Sequence, residues 1–175
     1  KEAKKYGAEI PFLRPSYLSK DLSTTEDTLK HALLKYESIT SKKFDLCVFL
    51  SPTDLFRDDD WINLAIRKMK TDNYIESVFV GYETHKNFWS YDDNKKPKRL
   101  KPWMKNYTSR QVRKKIFRED TGLCCVSRAR LWRRGKRIGD KVFIIKNHNG
   151  LASIDIHEKK DLDLANIIIK NGLSK

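Results

Sequence analysis

Glycine, proline and cysteine are all scarce in this chain, at seven, five and three among 175 residues. So little glycine and proline excludes a collagen-like or low-complexity sequence. Three cysteines, Cys47, Cys124 and Cys125, are too few and too irregularly spaced for a disulfide framework or a zinc site. Adjacent cysteines in a strand point to opposite faces, so all three are expected to be buried apolar residues of a protein held in a reducing, cytoplasmic setting. Long hydrophobic runs are missing as well. No apolar stretch approaches the ~20 residues that a membrane helix needs. The opening KEAKKYGAEI holds neither a signal-peptide core nor an initiating methionine, so a fragment or processed product is expected.

Negative charge is the last deficit. Thirty-seven Lys and Arg face 23 Asp and Glu, a net charge of +14. That excess draws anions: nucleotides, nucleic acid or acidic sugars. It is uneven, because residues 83–118 hold twelve basic and three acidic residues, nine of the fourteen net charges. With 39% hydrophobic residues, the remainder suits one domain with a real core.

Residues 1–6 read as the end of a helix closed by Gly7, and AEIPFL (8–13) reads as a short strand. Ser23 to Thr25 offer N-caps for a helix whose Leu29, Ala32, Leu33 and Tyr36 form a core-facing stripe. The continuous apolar run FDLCVFL (44–50) suggests a central parallel strand. One of Asp58 to Asp60 caps the next helix, which buries Trp61, Ile62, Ala65, Ile66 and Met69. ESVFVGY (76–82), GLCCV (122–126), KVFIIK (141–146) and LASIDI (151–156) read as strands. A short helix ends at Gly135, and a final helix over 158–171 turns Leu162, Ala165, Ile168 and Ile169 inward. Strands alternating with helices predict an α/β fold with a mostly parallel sheet. Residues 83–118, rich in basic and aromatic side chains, are left irregular, as expected of a lid or functional insertion.

Open parallel sheets bind ligands beyond the carboxyl ends of their strands. That rule selects Arg14, the loop from Ser51 to Arg57, and Asp155 with His157. Arg14 can present two parallel donors to a phosphate, or be a surface arginine before a proline turn. Ser23 and Thr25 can meet a ligand or merely cap a helix. Arg57 suits a structural tie. The Asp58–Asp60 triplet is explained by the helix dipole. Asp155 can supply a carboxylate to a hard cation such as Mg²⁺. His157 is a poor Mg²⁺ ligand, suited to bonding a metal-bound water, to acting as a base, or simply to facing solvent. Arg110 is a candidate clamp for a phosphate or carboxylate within the basic cluster SRQVRKK. The same basic, aromatic segment also fits single-stranded nucleic acid.

Four segments in order, KKYGAEIPFLRPSYLSKDLSTT, FLSPTDLFR, RQVRKKIFREDTGLCCV and SIDIHEKKDLDLA, resemble the acylneuraminate cytidylyltransferases, or CMP-sialic acid synthetases. The resemblance implies a three-layer, Rossmann-like nucleotidyltransferase fold in a single domain, usually a homodimer, with 82–118 as lid or dimerisation insertion. It implies transfer of CMP from CTP to the anomeric hydroxyl of a nine-carbon acidic sugar, with Mg²⁺ and release of pyrophosphate. Arg14, Ser23 and Thr25 match nucleotide contacts, and Ser51 stands where the family has a sugar-facing Gln. Arg110 and Gln111 match its active-site Arg-Gln pair. Asp155 matches the first metal aspartate, and His157 replaces the second. The family's N-terminal strand and basic phosphate loop are absent, so this chain alone is expected to be inactive. Arg14 and Asp155 are expected to converge on one pocket rim.

Overall fold

The computed structural model describes residues 2–173. The first turn, α1 (Glu2–Lys5), ends at Gly7, whose φ of +84° is the left-handed conformation that glycine adopts without steric cost. Lys1 of the expected helix lies outside the described residues. Residues 8–13 form no strand, contrary to expectation. Pro11 offers no N–H to a ladder, and no described strand of the sheet pairs with the segment. The next helix, α2 (Thr25–Thr40), is capped by Thr24, whose hydroxyl accepts the Asp27 N–H at 3.1 Å.

The rest follows in the order β1 (Leu46–Phe49), α3 (Asp60–Thr71), β2 (Ser77–Thr84), β3 (Trp89–Tyr91), β4 (Pro97–Arg99), β5 (Ile116–Glu119), β6 (Cys125–Arg128), α4 (Ala129–Arg133), β7 (Val142–Asn147) and α5 (Lys159–Lys170). The acidic triplet serves the helix start: Asp58 Oδ1 accepts the Asp60 N–H at 2.9 Å. The expected strand over 151–156 is instead a 3₁₀ turn, Gly150–Ser153, followed by a single bridge between Asp54 and Asp155. Local bonds compete with a ladder here. Asn147 Oδ1 accepts the Asn149 N–H, and Asn149 Oδ1 accepts the Leu151 N–H.

The central sheet is not mostly parallel. β2 pairs in parallel with β7, while the β1–β6, β2–β6 and β2–β5 pairings are all antiparallel. β1, β2 and β7 do run the same way. The reversed strand is β5–β6, which descends along one side of β2 after the 83–118 excursion and inserts between β1 and β2. An apolar run carries no mark of strand direction, so this reversal is invisible to periodicity. β5 and β6 are one interrupted strand. Residues 120–124 loop out opposite Val80, which accepts from the Asp120 N–H and donates to the Cys124 carbonyl.

Three layers result. Trp61, Ala65 and Met69 of α3 close over Val78, Val80, Cys124, Val126 and Ile145 on one face. α2 and α4 close the other, Leu33, Leu131 and Trp132 clustering with Cys47 of β1. All three cysteines are buried and free, as expected, and burial lifts the Cys47 and Cys125 thiols to about 11 and that of Cys124 to about 12. The third cluster matters for the site. Ala165 and Ile168 of α5 pack on Phe56, Leu151, Ile154 and Ile156, so α5 presses the loop after β1 against the segment before itself. Leu162 and Ile169, expected inward, are about half exposed on α5.

Candidate functional site

The loop after β1 is held from within. Arg57 Nη2 donates to the Ser51 and Asp54 carbonyls at 2.6 and 2.7 Å, so Arg57 is a tie, and it ties its own loop. The Ser51 N–H reaches the Gly122 carbonyl at 2.7 Å, which docks this loop on the 120–124 excursion. Packing there leaves no room: a Cβ on Gly122 would overlap Asp54 Oδ2 and stand 2.9 Å from Ser51 Cβ. On the other side, the Ile156 N–H donates to Thr53 O at 3.1 Å next to the Asp54–Asp155 bridge.

Three separate segments thereby bring Asp54, Asp120 and Asp155 to one cleft of about 470 Å³, lined also by Arg118, Gly122 and His157. The carboxylates are not equivalent. Asp120 is forked by Arg118, at 2.6 and 3.1 Å. Asp155 Oδ2 lies 2.9 Å from His157 Nε2, while its Oδ1 is buried with no partner among the described residues. Asp54 holds its proton more tightly than an ordinary aspartate. Burial is the largest cause and Asp155 the next, with Asp120 adding and Arg57 and Ser51 opposing. A half-buried carboxyl that shares its cleft with a second carboxylate holding an unused oxygen is an arrangement that a cation relieves. No group of three or more metal-ligating side chains is gathered among the described residues. A Mg²⁺ ion, which takes one or two carboxylates and completes its shell with water and phosphate, does not need one. The residues present fit it as a pair, Asp155 and Asp54. His157 Nε2 is engaged with Asp155.

A second cleft of about 500 Å³ opens at the carboxyl ends of β2 and β7, lined by His85, Arg110, Gln111, Lys115, Asn147 and His148 with Tyr82, Glu83 and Thr84. Here the expected Arg110–Gln111 pair does come together with other polar groups. Burial, and then the neighbouring Arg110, hold the His85 imidazole below its usual proton affinity. The two clefts adjoin at Tyr82 and Arg118, whose guanidinium stands over the Tyr82 ring at 5.5 Å. Arg110 and Asp155 thus line neighbouring clefts rather than one.

Arg14 does not line the cleft of Asp155. It is exposed, donating to Ser19 Oγ at 3.0 Å in the loop that replaced the expected strand. The expected convergence of the two is therefore not seen. Ser23 lines a separate groove with Tyr17, Lys20 and His31, and donates to the Tyr17 carbonyl. Thr25 is the exposed first residue of α2. One ion-pair chain connects that helix start to the carboxylate cleft: Arg137 reaches Glu26 at 3.5 Å and Glu119 at 4.0 Å. In the basic segment, Arg99 lies between Trp89 and Tyr107, 4.3 and 5.4 Å from the ring centres.

Asp54, Asp120, Asn147, His85 and His148 are site residues that sequence reasoning did not single out. Asp54 had a usable signal, because it follows a strand's carboxyl end. Asn147, directly after KVFIIK, had the same signal, and Asp120 had none.

No protein-family model matches the chain, and no curated protein matches it in sequence. Among solved structures it is similar to the 4-diphosphocytidyl-2C-methyl-D-erythritol synthase of Anaerococcus prevotii. The TM-score is 0.54 and the identity 10%, covering 84% of this chain and 67% of that one. The likeness establishes the fold: the chain has the α/β architecture of that enzyme, with an antiparallel strand within its sheet. No helix among the described residues is long and apolar enough to cross a membrane.

Proposed function

We propose that the chain is a cytidylyltransferase domain that transfers CMP from CTP to the anomeric hydroxyl of a sialic-acid-like nine-carbon acidic sugar, releasing pyrophosphate, in the cytoplasm and as a homodimer. The observation that carries the reading is the buried Asp155 Oδ1, without a partner among the described residues, in the residue that bridges Asp54 and raises its proton affinity. The fold shared with an enzyme named for a diphosphocytidyl product supports the nucleotide class. The four sequence segments support the acidic sugar. Asp155 and Asp54 would hold Mg²⁺, which neutralises phosphate charge.

The chain's own residues account for the rest. His157 Nε2 lies 2.9 Å from Asp155 Oδ2 and leaves Oδ1 as the oxygen without a partner among the described residues. Arg57 keeps Asp54 in place by fixing its loop. Arg110 and Gln111 bind the acidic acceptor and offset charge that develops at the phosphates. The cation–π stack at Arg99 already occupies faces of Trp89 and Tyr107, which favours an ordered insertion over a base-stacking nucleic-acid surface.

The test is pyrophosphate release from CTP and N-acetylneuraminate with Mg²⁺ by the intact, full-length protein that carries this domain, with and without Asp155→Ala. Removing one preorganised charged group is expected to cost on the order of 10²–10³ in rate. Release at the wild-type rate in the variant removes Asp155 from the reaction, and an oligonucleotide that binds while CTP does not overturns the proposal.

A further inference from the structure

Residues 83–118 hold twelve Lys and Arg, and among the described residues Lys115 and Arg118 are the two of them that form ion pairs. Two of the unpaired cations are gathered at one place. Arg99 stands opposite Trp89 in the β3–β4 ladder, its guanidinium 4.3 Å from that ring centre and 5.4 Å from that of Tyr107. The Arg113 guanidinium stands 5.7 Å from the same Tyr107 ring. Arg99 Nη1 and Arg113 Nε are buried without an acceptor among the described residues, and Arg113 Nη2 reaches the Thr108 carbonyl at a long 3.4 Å. Two like charges that share a ring and keep unused donors are relieved by an oxyanion that accepts from both.

The scaffold holds this pair in place. Asn87 Nδ2 donates to the Met104 carbonyl at 3.0 Å, and the Leu100 N–H donates to Phe88 O at 2.9 Å. Met104 itself is fully buried. Arginines already stacked on rings lose little further freedom when they grip a ligand.

The surroundings define the ligand. Neither arginine lines the carboxylate cleft or the cleft beyond β2 and β7, so a partner meets them on an open surface. Beside them Phe88, Leu100, Trp89 and Tyr107 are between 40% and 70% exposed. Trp, Tyr and Arg are the side chains that carry most of the binding energy at protein–protein contacts. Nucleic acid fits less well, because it needs free ring faces and Arg99 already covers those of Trp89 and Tyr107.

We infer that the β3–β4 hairpin and the Arg99–Tyr107–Arg113 stack form a docking surface for an Asp- or Glu-rich segment of a partner protein, with a carboxylate of that segment gripped by the two guanidiniums. Charge complementarity selects the occupant: an acidic chain supplies the acceptors that the segment lacks. The surface does not involve Arg110, and it does not rest on cytidylyl transfer.

The test is fluorescence anisotropy of a labelled deca-glutamate peptide titrated with the 175-residue chain, beside a labelled ten-residue oligothymidylate. The peptide is expected to bind and saturate. Arg99→Ala and Arg113→Ala are each expected to weaken it about tenfold or more, the value of a hydrogen bond to a charged group. Arg99→Lys keeps the charge and loses the fork, and it is expected to lose most of the same affinity, which keeps the test sharp should Arg99→Ala disturb the hairpin. Lys98→Ala and Lys101→Ala remove exposed charges from the same segment and are expected to weaken binding less than about threefold. Absence of peptide binding, equal losses in the lysine and arginine variants, or tighter binding of the oligonucleotide than of the peptide overturns the surface. So does self-association in sedimentation that Arg99→Ala abolishes, because a second copy then covers the stack.

Discussion

Replacing Asp54 by Asn is expected to stabilise the fold while it weakens the site. Three features act against the Asp54 carboxylate: its burial, Asp155 across the bridge, and Asp120 in the same cleft. Arg57 and Ser51 offset them only in part, since the proton affinity remains raised. A folded-state pKa above the unfolded value is a penalty on the folded chain, fully present above the folded pKa and absent below the unfolded value near ~3.9. Asn keeps the shape that Gly122 demands and removes the charge. The group is only half buried, so solvent screening discounts the gain, which is expected at the usual scale of about 0.5–2 kcal/mol for relieving a functional site. For a domain of this size that is a rise of roughly 2–4 °C in Tm per kcal/mol. The assay is thermal and urea unfolding of both proteins from pH 7 down to pH 4. Asp54→Asn is expected to be the more stable at pH 7, with the difference closing as the pH falls. Equal or lower stability of Asp54→Asn at pH 7 refutes the argument that Asp54 is held as a charge in an unfavourable place.

Two further substitutions test the scaffold. Gly122→Ala forces a Cβ onto Asp54 and Ser51 and is expected to cost about 1–3 kcal/mol through overpacking, seen as a lower urea midpoint at an unchanged m-value. Glu37 lies in α2 with Arg133, Lys43 and the Phe44 N–H around its carboxylate, and Arg133 above all lowers its pKa to about 2. Its contribution is present above the unfolded pKa and is lost as pH falls from about 4.5 towards 2. Glu37→Gln is therefore expected to flatten that limb of the pH–stability curve, and an unchanged limb counts against the pairing.

How much of this was legible depends on what each residue's pattern can encode. The α2 start at Thr24, the α3 stripe of Trp61, Ala65 and Met69, and strands β1, β2 and β7 follow from periodicity and capping, which act locally. Direction does not. β6 reads as an apolar strand whichever way it runs, and its reversal comes from the long excursion between β2 and β5. Within that excursion the β3–β4 hairpin turns on Asp92, whose Oδ1 accepts the Asn94 and Lys96 N–H groups, a signal hidden in a run of charged residues. Asp155 was readable because it is a carboxylate near the carboxyl end of an apolar stretch. Asp54 lay in the selected loop after a strand without being named, and Asp120 became a site residue only through tertiary contacts. Arg14 failed for a local reason, because a segment punctuated by Pro11 and Pro15 formed a loop instead of the strand meant to aim it.

The pairing of Asp155 with Asp54 as a seat for a magnesium-bound nucleotide is tested most directly by calorimetric titration of CTP into the wild type and Asp155→Ala, each with and without Mg²⁺. Binding that needs both the cation and the Asp155 carboxylate is the predicted result. CTP that binds the variant as tightly as the wild type, or binds the wild type equally well without Mg²⁺, contradicts it.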